Sequence, residues 1–264
     1  MSNAVILGTQ YGDEGKGRLV DALSTNFDCV ARFQGGANAG HTVRIKDQEY
    51  VLHLLPSGII RGKLSIQGMG MVEHPPTLVE EINGLTARGI RITPDNLVID
   101  PRIHVTTRYH IEEDKKNGGT IGTTGRGVGQ TYDDKYARRG FTFGDLLNNP
   151  EIVRERINSN MQTVYRDPRR KLDPDEVFGE LEESVSKLAP FVRGTIPIAR
   201  SQDSILFEGA QSHWLGINTG NYPFVTASDT TIAGVFSSFG LIEVPRRIGV
   251  VKAYTTRVGN GPFE

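Results

Sequence analysis

The chain has one cysteine, Cys29, and one tryptophan, Trp214, among 264 residues. A single thiol forms no internal disulfide, which suits a reducing compartment and gives the expectation of a cytoplasmic protein. No apolar run approaches the roughly 20 residues that cross a bilayer, and no signal-peptide pattern is visible. Neither sign of charge is in excess: 30 Lys and Arg stand against 31 Asp and Glu. A net charge of -1 gives no case for nucleic acid or a membrane surface as partner. No Pro/Ser linker, low-complexity tract or internal repeat divides the sequence, so one α/β domain over residues 1–264 is expected.

What the chain does have is glycine, 31 residues of it, most densely in three loops. The first is Gly8-Thr-Gln-Tyr-Gly-Asp-Glu-Gly-Lys-Gly17, between the β-prone Ala4-Val-Ile-Leu7 and the helical spacing of Arg18-Leu-Val-Asp-Ala-Leu23. Backbone N–H groups at a helix N-terminus lack intrahelical partners and favour an anion, glycines allow close approach, and Lys16 brings a positive charge. The match to the P-loop pattern is partial. Gln10 stands where its first glycine belongs, and Gly17 where a Ser or Thr belongs. A simple strand-to-helix turn, with Asp13 and Glu14 complementing the helix dipole, accounts for the same residues.

The second loop, Gln34-Gly-Gly-Ala-Asn-Ala-Gly-His-Thr42, follows the apolar run Cys29-Val-Ala-Arg-Phe33. Two such loops at strand ends can share one ligand, and His41 between Gly40 and Thr42 is suited to face a phosphate. The remaining histidines, His53, His74, His104, His110 and His213, read as structural or solvated. A third loop, Gly118 to Gly129, leads into Tyr132-Asp-Asp-Lys-Tyr-Ala-Arg-Arg-Gly140. Thr123, Thr124, Arg126, Arg138 and Arg139 there offer donors to a second phosphate, or else form a surface loop backed by a basic helix.

Strands are expected near Val5, Val30, Val51, Ser65, Val98, Leu206 and Val250, mostly short apolar runs of the kind buried in a parallel sheet. Helices are expected over Gly15 to Leu23, Thr77 to Arg88, Thr106 to Lys116, Pro150 to Tyr165 and Asp173 to Leu188. Lys46-Asp47 turns a hairpin, and Asp173 with Pro174 caps an acidic, solvated outer helix. The fold class is therefore α/β, P-loop-NTPase-like, with a largely parallel central sheet flanked by helices.

Taken in order, Gly12-Asp-Glu-Gly-Lys-Gly17, Asn38-Ala-Gly-His-Thr42, Gly122-Thr-Thr-Gly-Arg-Gly127, Ala137-Arg-Arg-Gly140, Glu208-Gly-Ala-Gln211, Tyr222-Pro-Phe-Val-Thr226 and Thr256-Arg-Val-Gly-Asn-Gly-Pro-Phe263 resemble the adenylosuccinate synthetases. The resemblance covers essentially the whole chain. It implies a ligase of purine biosynthesis, in which a nucleoside triphosphate, usually GTP, phosphorylates the 6-oxygen of IMP and the amine of L-aspartate displaces that phosphate. By the same resemblance Asp13 is the base that takes the N1 proton and His41 is the proton donor to the departing diphosphate. Mg2+ is held by Asp13 and the carbonyl of Gly40. The triphosphate is wrapped by Gly12, Asp13, Glu14, Gly15, Lys16 and Gly17 together with Gly40, His41 and Thr42. The purine monophosphate is bound by Asn38, Ala39, Thr124, Gln211 and Thr226. Arg138 is implied to cross to the partner's site in a homodimer.

The sequence departs from this pattern in two ways. It stops at Glu264, where family members continue into segments that bind aspartate and recognise guanine, so the chain is expected to be the N-terminal and central part of a longer synthetase, with GTP or ATP left open. Second, Gln211-Ser-His-Trp-Leu-Gly216 stands where glycine and small or aliphatic residues are usual. Trp214 there either fills core or reshapes the purine pocket. Some phage relatives take dGMP instead of IMP and make 2-aminoadenylosuccinate, in several cases with a small hydroxyl residue replacing the catalytic aspartate; Asp13 is kept here. A nucleotide-binding protein without ligase activity is the remaining alternative, against which the pairing of Asp13 with His41 argues.

Overall fold

The structure is a computed structural model that describes residues 2–45, 47–119, 122–167, 171–240 and 242–263. In chain order its strands are β1 (Ala4–Gly8), β2 (Cys29–Arg32), β3 (His41–Ile45), β4 (Gln48–Leu52), β5 (Leu64–Gln67), β6 (Val72–Glu73), β7 (Leu97–Ile99), β8 (His104–Val105), β9 (Ile205–Ser212) and β10 (Arg246–Val250). The α-helices are α1 (Lys16–Ser24), α2 (Pro75–Ala87), α3 (Arg108–Asn117), α4 (Val128–Tyr136), α5 (Phe143–Asn148), α6 (Pro150–Thr163), α7 (Pro174–Leu188), α8 (Thr195–Arg200) and α9 (Ile232–Phe239).

Six strands form one parallel sheet in the order β10-β1-β9-β2-β5-β7. The short apolar runs lie inside it because both of its faces are covered. Successive side chains point to opposite faces: Ala4 and Ile6 meet Val20 and Phe27 on the α1 side, whereas Val5 and Phe207 meet Val235 and Phe239 of α9 on the other. Phe207 and Phe239 pack edge to face with centroids 5.3 Å apart. Truncating either to alanine removes a buried ring of the kind that costs about 3–5 kcal/mol.

β3 and β4 pair antiparallel, His41 opposite Leu52, as the hairpin expectation requires; Lys46 at its turn lies outside the described residues. A second and larger apolar core joins the hairpin to α2, α3, α5, α6 and α7. α7 starts as its sequence dictates, Asp173 accepting from the Asp175 N–H with Pro174 in the first turn. It is not simply a solvated helix, however. Val177, Phe178, Leu181, Val185 and Leu188 form a buried stripe, so only its acidic face meets water. Among the described residues no helix is long and apolar enough to cross a membrane.

β1, β9 and β2 are neighbours, so their C-terminal ends bring the loops after Gly8, Ser212 and Arg32 to one edge of the sheet. Ligands of open parallel sheets bind at that edge.

Candidate active site

The first loop enters α1 through Gly15, which sits in the left-handed region (φ 82°) with no side-chain cap. The first N–H groups of the helix are thus left for a ligand. Beneath the loop Glu14 is drawn inward. Its Oε1 accepts from the N–H groups of Gln10 (3.1 Å) and Gly12 (3.0 Å), and its Oε2 accepts from Lys16 Nζ (2.8 Å) and Ser212 Oγ (2.5 Å). Burial alone would raise the Glu14 carboxyl; the Lys16 charge and the hydrogen bonds from Lys16 and Ser212 outweigh it and hold it below the usual carboxylate range.

His41 begins β3 and lies against the first loop: a Cβ at Gly17 would stand 3.0 Å from the His41 Cβ. Its Nδ1 donates to Glu208 of β9, a carboxylate with no exposure to solvent. Glu208 also accepts from the Ser57 N–H (2.8 Å) and hydroxyl (2.6 Å). Burial pushes the Glu208 carboxyl up, but the charges of His41 and Arg32 and the Ser57 hydroxyl hold it down, below its ordinary value. With Nδ1 as the donor, the ring orientation is set, and the neutral ring is the Nδ1–H tautomer with a bare Nε2. His53 donates from Nδ1 to the Ala39 carbonyl at 2.7 Å, bracing the turn before Gly40.

Two cavities open above these groups. The first, about 500 Å3, is lined by Gly12, Asp13, Gly15, Lys16, Gly17, Ala39, Gly40, His41 and Thr42, with Arg18 and Arg44 at its rim. The second, about 320 Å3, is lined by Thr123, Thr124, Thr226, Ile217 and Phe224, among others. Asn38, Gln211, Leu215 and Val258 line both. Asn38 accepts from the Gly36 N–H (3.1 Å) and donates to Thr226 Oγ1 (3.4 Å). Gln211 adopts φ 53°, and both atoms of its buried amide lack a hydrogen-bond partner. An unsatisfied amide in such a place is matched by a ligand with its own donors and acceptors.

The expected triphosphate-binding residues thus converge on the first cavity, except Glu14, which lies beneath the loop and not on its wall. Of the expected monophosphate-binding residues Asn38, Thr124, Gln211 and Thr226 converge on the second, and Ala39 faces the first. Arg138 reaches neither: it is exposed after α4, in the left-handed region (φ 63°). Arg139, grouped with it in the sequence as a phosphate donor, is committed to Asp133 and Asp134. Of the third loop, residues 120 and 121 lie outside the described residues. Trp214 corrects both readings offered for it. It is 42% exposed and lines neither cavity, stacking at 6.4 Å on Tyr11, which in turn stacks on Phe263. Glu208, Arg18 and Arg44 were assigned no role from sequence, whereas His53, read there as structural or solvated, braces a turn.

Asp13 is exposed on the wall of the first cavity with Gly40, and both suit Mg2+ as hard oxygen donors. No cluster of three or more metal-ligating side chains exists among the described residues. The donor set therefore fits an ion that takes most of its shell from phosphate oxygens and water.

The sequence model of the adenylosuccinate synthetase family matches residues 5–264. The chain is 42% identical to the adenylosuccinate synthetases of Clostridium botulinum (strain 657 / Type Ba4) and Clostridium perfringens (strain 13 / Type A), in each case over 100% of its own length and 65% of the relative's. It superimposes on the fully ligated adenylosuccinate synthetase from Plasmodium falciparum with a TM-score of 0.89 and 36% identity, covering 100% of this chain and 64% of that one. A cyanophage S-2L succinoaminodeoxyadenylate synthetase, bound to dGMP and dATP, is alike in fold alone, at 24% identity and a TM-score of 0.66 over 95% of this chain and 64% of that one. The chain spans about 65% of the length of the curated relatives it matches, and over that span it belongs to the adenylosuccinate synthetase family.

Proposed function

We propose that the chain binds a nucleoside triphosphate, GTP by preference, in the first cavity and IMP in the second, and carries out the phosphoryl-transfer half of adenylosuccinate synthesis. The observation that carries this is the pair of adjacent cavities: a glycine-lined helix N-terminus with Lys16 and His41 in one, the unsatisfied Gln211 amide on the wall they share, and hydroxyls in the other.

In this reading the polyphosphate lies along the N-terminus of α1 and the loop residues Gly12 to Gly17, with Thr42 and Gly40 across from it. Asp13 takes the N1 proton of IMP, which makes the 6-oxygen nucleophilic, and that oxygen attacks the γ-phosphorus. His41 in its imidazolium form, with Nδ1–H held by Glu208, donates its Nε2 proton to the oxygen on which charge builds as the diphosphate leaves. Such positioned acids and bases contribute about 10²- to 10⁴-fold each. Asp13 and the Gly40 carbonyl would hold Mg2+, which would supply charge neutralisation on the phosphates. Asn38, Gln211, Thr226 and Thr124 orient the monophosphate. Displacement of the new phosphate by L-aspartate completes a ligase reaction. A second copy places Arg138 over the monophosphate, so the working unit is a homodimer, in the cytoplasm.

The test is Mg2+-dependent exchange of the β,γ-bridge oxygen of GTP, which reports reversible phosphoryl transfer without a bound aspartate. IMP-dependent exchange is expected. Exchange that requires dGMP assigns the chain to the 2-aminoadenylosuccinate activity, and binding without exchange under either monophosphate returns it to nucleotide binding alone.

A further inference from the structure

Three groups meet over Gly8 at the end of β1: Ser212 Oγ, Glu14 Oε2 and Lys16 Nζ. A Cβ built at Gly8 would lie 2.0, 2.6 and 2.8 Å from them. Only glycine leaves room for this cluster, and the strand pairing slips its register here, Gly8 coming opposite Ser212. Ser212 has no solvent exposure. Its hydroxyl donates to Glu14 Oε2 (2.5 Å) and accepts from Lys16 Nζ (3.1 Å).

An ammonium carries three donors. Glu14 takes one and Ser212 a second, which stops the ammonium from rotating and leaves the third donor to the cavity that Lys16 lines. The hydroxyl also occupies a lone pair of Glu14, so the carboxylate neutralises Lys16 less completely. A glycine at this position, with no hydroxyl, could do neither. We propose that Ser212 is a positioning residue of this chain, holding Lys16 and Glu14 so that the lysine presents one N–H to the polyphosphate of the bound nucleotide. This rests on the reading of the first cavity as the triphosphate site.

The test is calorimetric titration of the full chain and of its Ser212→Ala variant with GTP·Mg2+ and, separately, with IMP. Loss of one hydrogen bond to a charged group is expected to weaken GTP binding at least about tenfold while IMP binding stays within about twofold. A purely structural role would lower both affinities together. An equal loss for both ligands, or no loss for GTP, overturns the proposal. If Ser212→Ala does not fold, Ser212→Cys, close in volume and a weaker donor, carries the same comparison with the same expected split. A wild-type chain that binds IMP but not GTP overturns the reading of the first cavity and this inference with it, whereas wild-type binding of both with an unchanged variant overturns this inference alone.

Discussion

His41 and Glu208 form a buried pair across 167 residues of sequence, the imidazole donating from Nδ1 to a carboxylate that no water reaches. The carboxylate serves two masters, since the Ser57 N–H and hydroxyl also end on it. A ring restrained in this way keeps its Nε2 directed at the same point whichever ligand arrives.

Glu208→Gln tests that restraint. Removing one partner of a buried pair costs about 3–5 kcal/mol, and turnover in the proposed reaction is expected to fall by about 10²-fold because His41 loses its fixed tautomer. The folded-state pKa of Glu208 lies below the unfolded value of 4.5. Its contribution is therefore fully present above that value and is lost as pH falls through the folded one. Urea midpoints measured from neutral pH downward should drop in the wild type and show a shallower acid limb in the variant; parallel limbs refute the pairing.

Glu73 gives the opposite slope. It is fully buried with neither carboxylate oxygen hydrogen-bonded. Burial pushes it up to about 8, Arg32 opposing and Glu81 adding to the rise. Between the unfolded value of 4.5 and about 8 the folded protein keeps a proton that the unfolded chain has released. Stability contributed by this group therefore falls as pH rises, by about 1.4 kcal/mol per pH unit. Glu73→Gln should remove that slope, so the variant gains on the wild type between about pH 5 and about pH 8 in chemical denaturation. A difference that does not grow with pH contradicts this.

Arg138 and Asp13 are expected to work from different copies. Asp13→Asn should reduce turnover by at least about 10²-fold, and Arg138→Leu should weaken monophosphate binding. Mixed after subunit exchange, the two variants should recover activity, because some hybrid dimers hold one site with both residues intact. Activity no greater than the sum of the parents, with exchange verified, removes Arg138 from the shared site.

Trp214 stacks on Tyr11 outside both cavities. Trp214→Leu is expected to leave the IMP to dGMP affinity ratio unchanged within about twofold, and to cost about 0.5–1.5 kcal/mol beyond lost area, the worth of an aromatic pair. A shifted ratio would return Trp214 to the purine pocket.

Strands and the glycine-rich loops between them were legible because each is local: short apolar runs bounded by clusters of glycine. Long-range pairings were not. Glu208 carried a readable signal, a carboxylate inside the apolar run Ile205-Leu-Phe-Glu-Gly, but nothing nearby names His41 as its partner. Arg139 beside Arg138 looks identical in sequence, and only the fold turns one to Asp134 and the other to solvent. Helix α9 was missed because Ile-Ala-Gly-Val-Phe-Ser-Ser-Phe is apolar on most sides and short. The acids of α7 disguised its buried stripe, which tertiary packing alone selects.

The position of β1 governs when the protein can assemble. Both strands that flank it, β9 and β10, begin only at Ile205 and Arg246, with Ile6 beside Glu208 and Ile248. During synthesis at about 5–20 residues per second, the first strand waits roughly 10–40 s on the ribosome with both edges unpaired. Its apolar Ala4–Leu7 segment is then a target for chaperones and for wrong strands, and the glycine-rich loop it carries forms late in folding, not early.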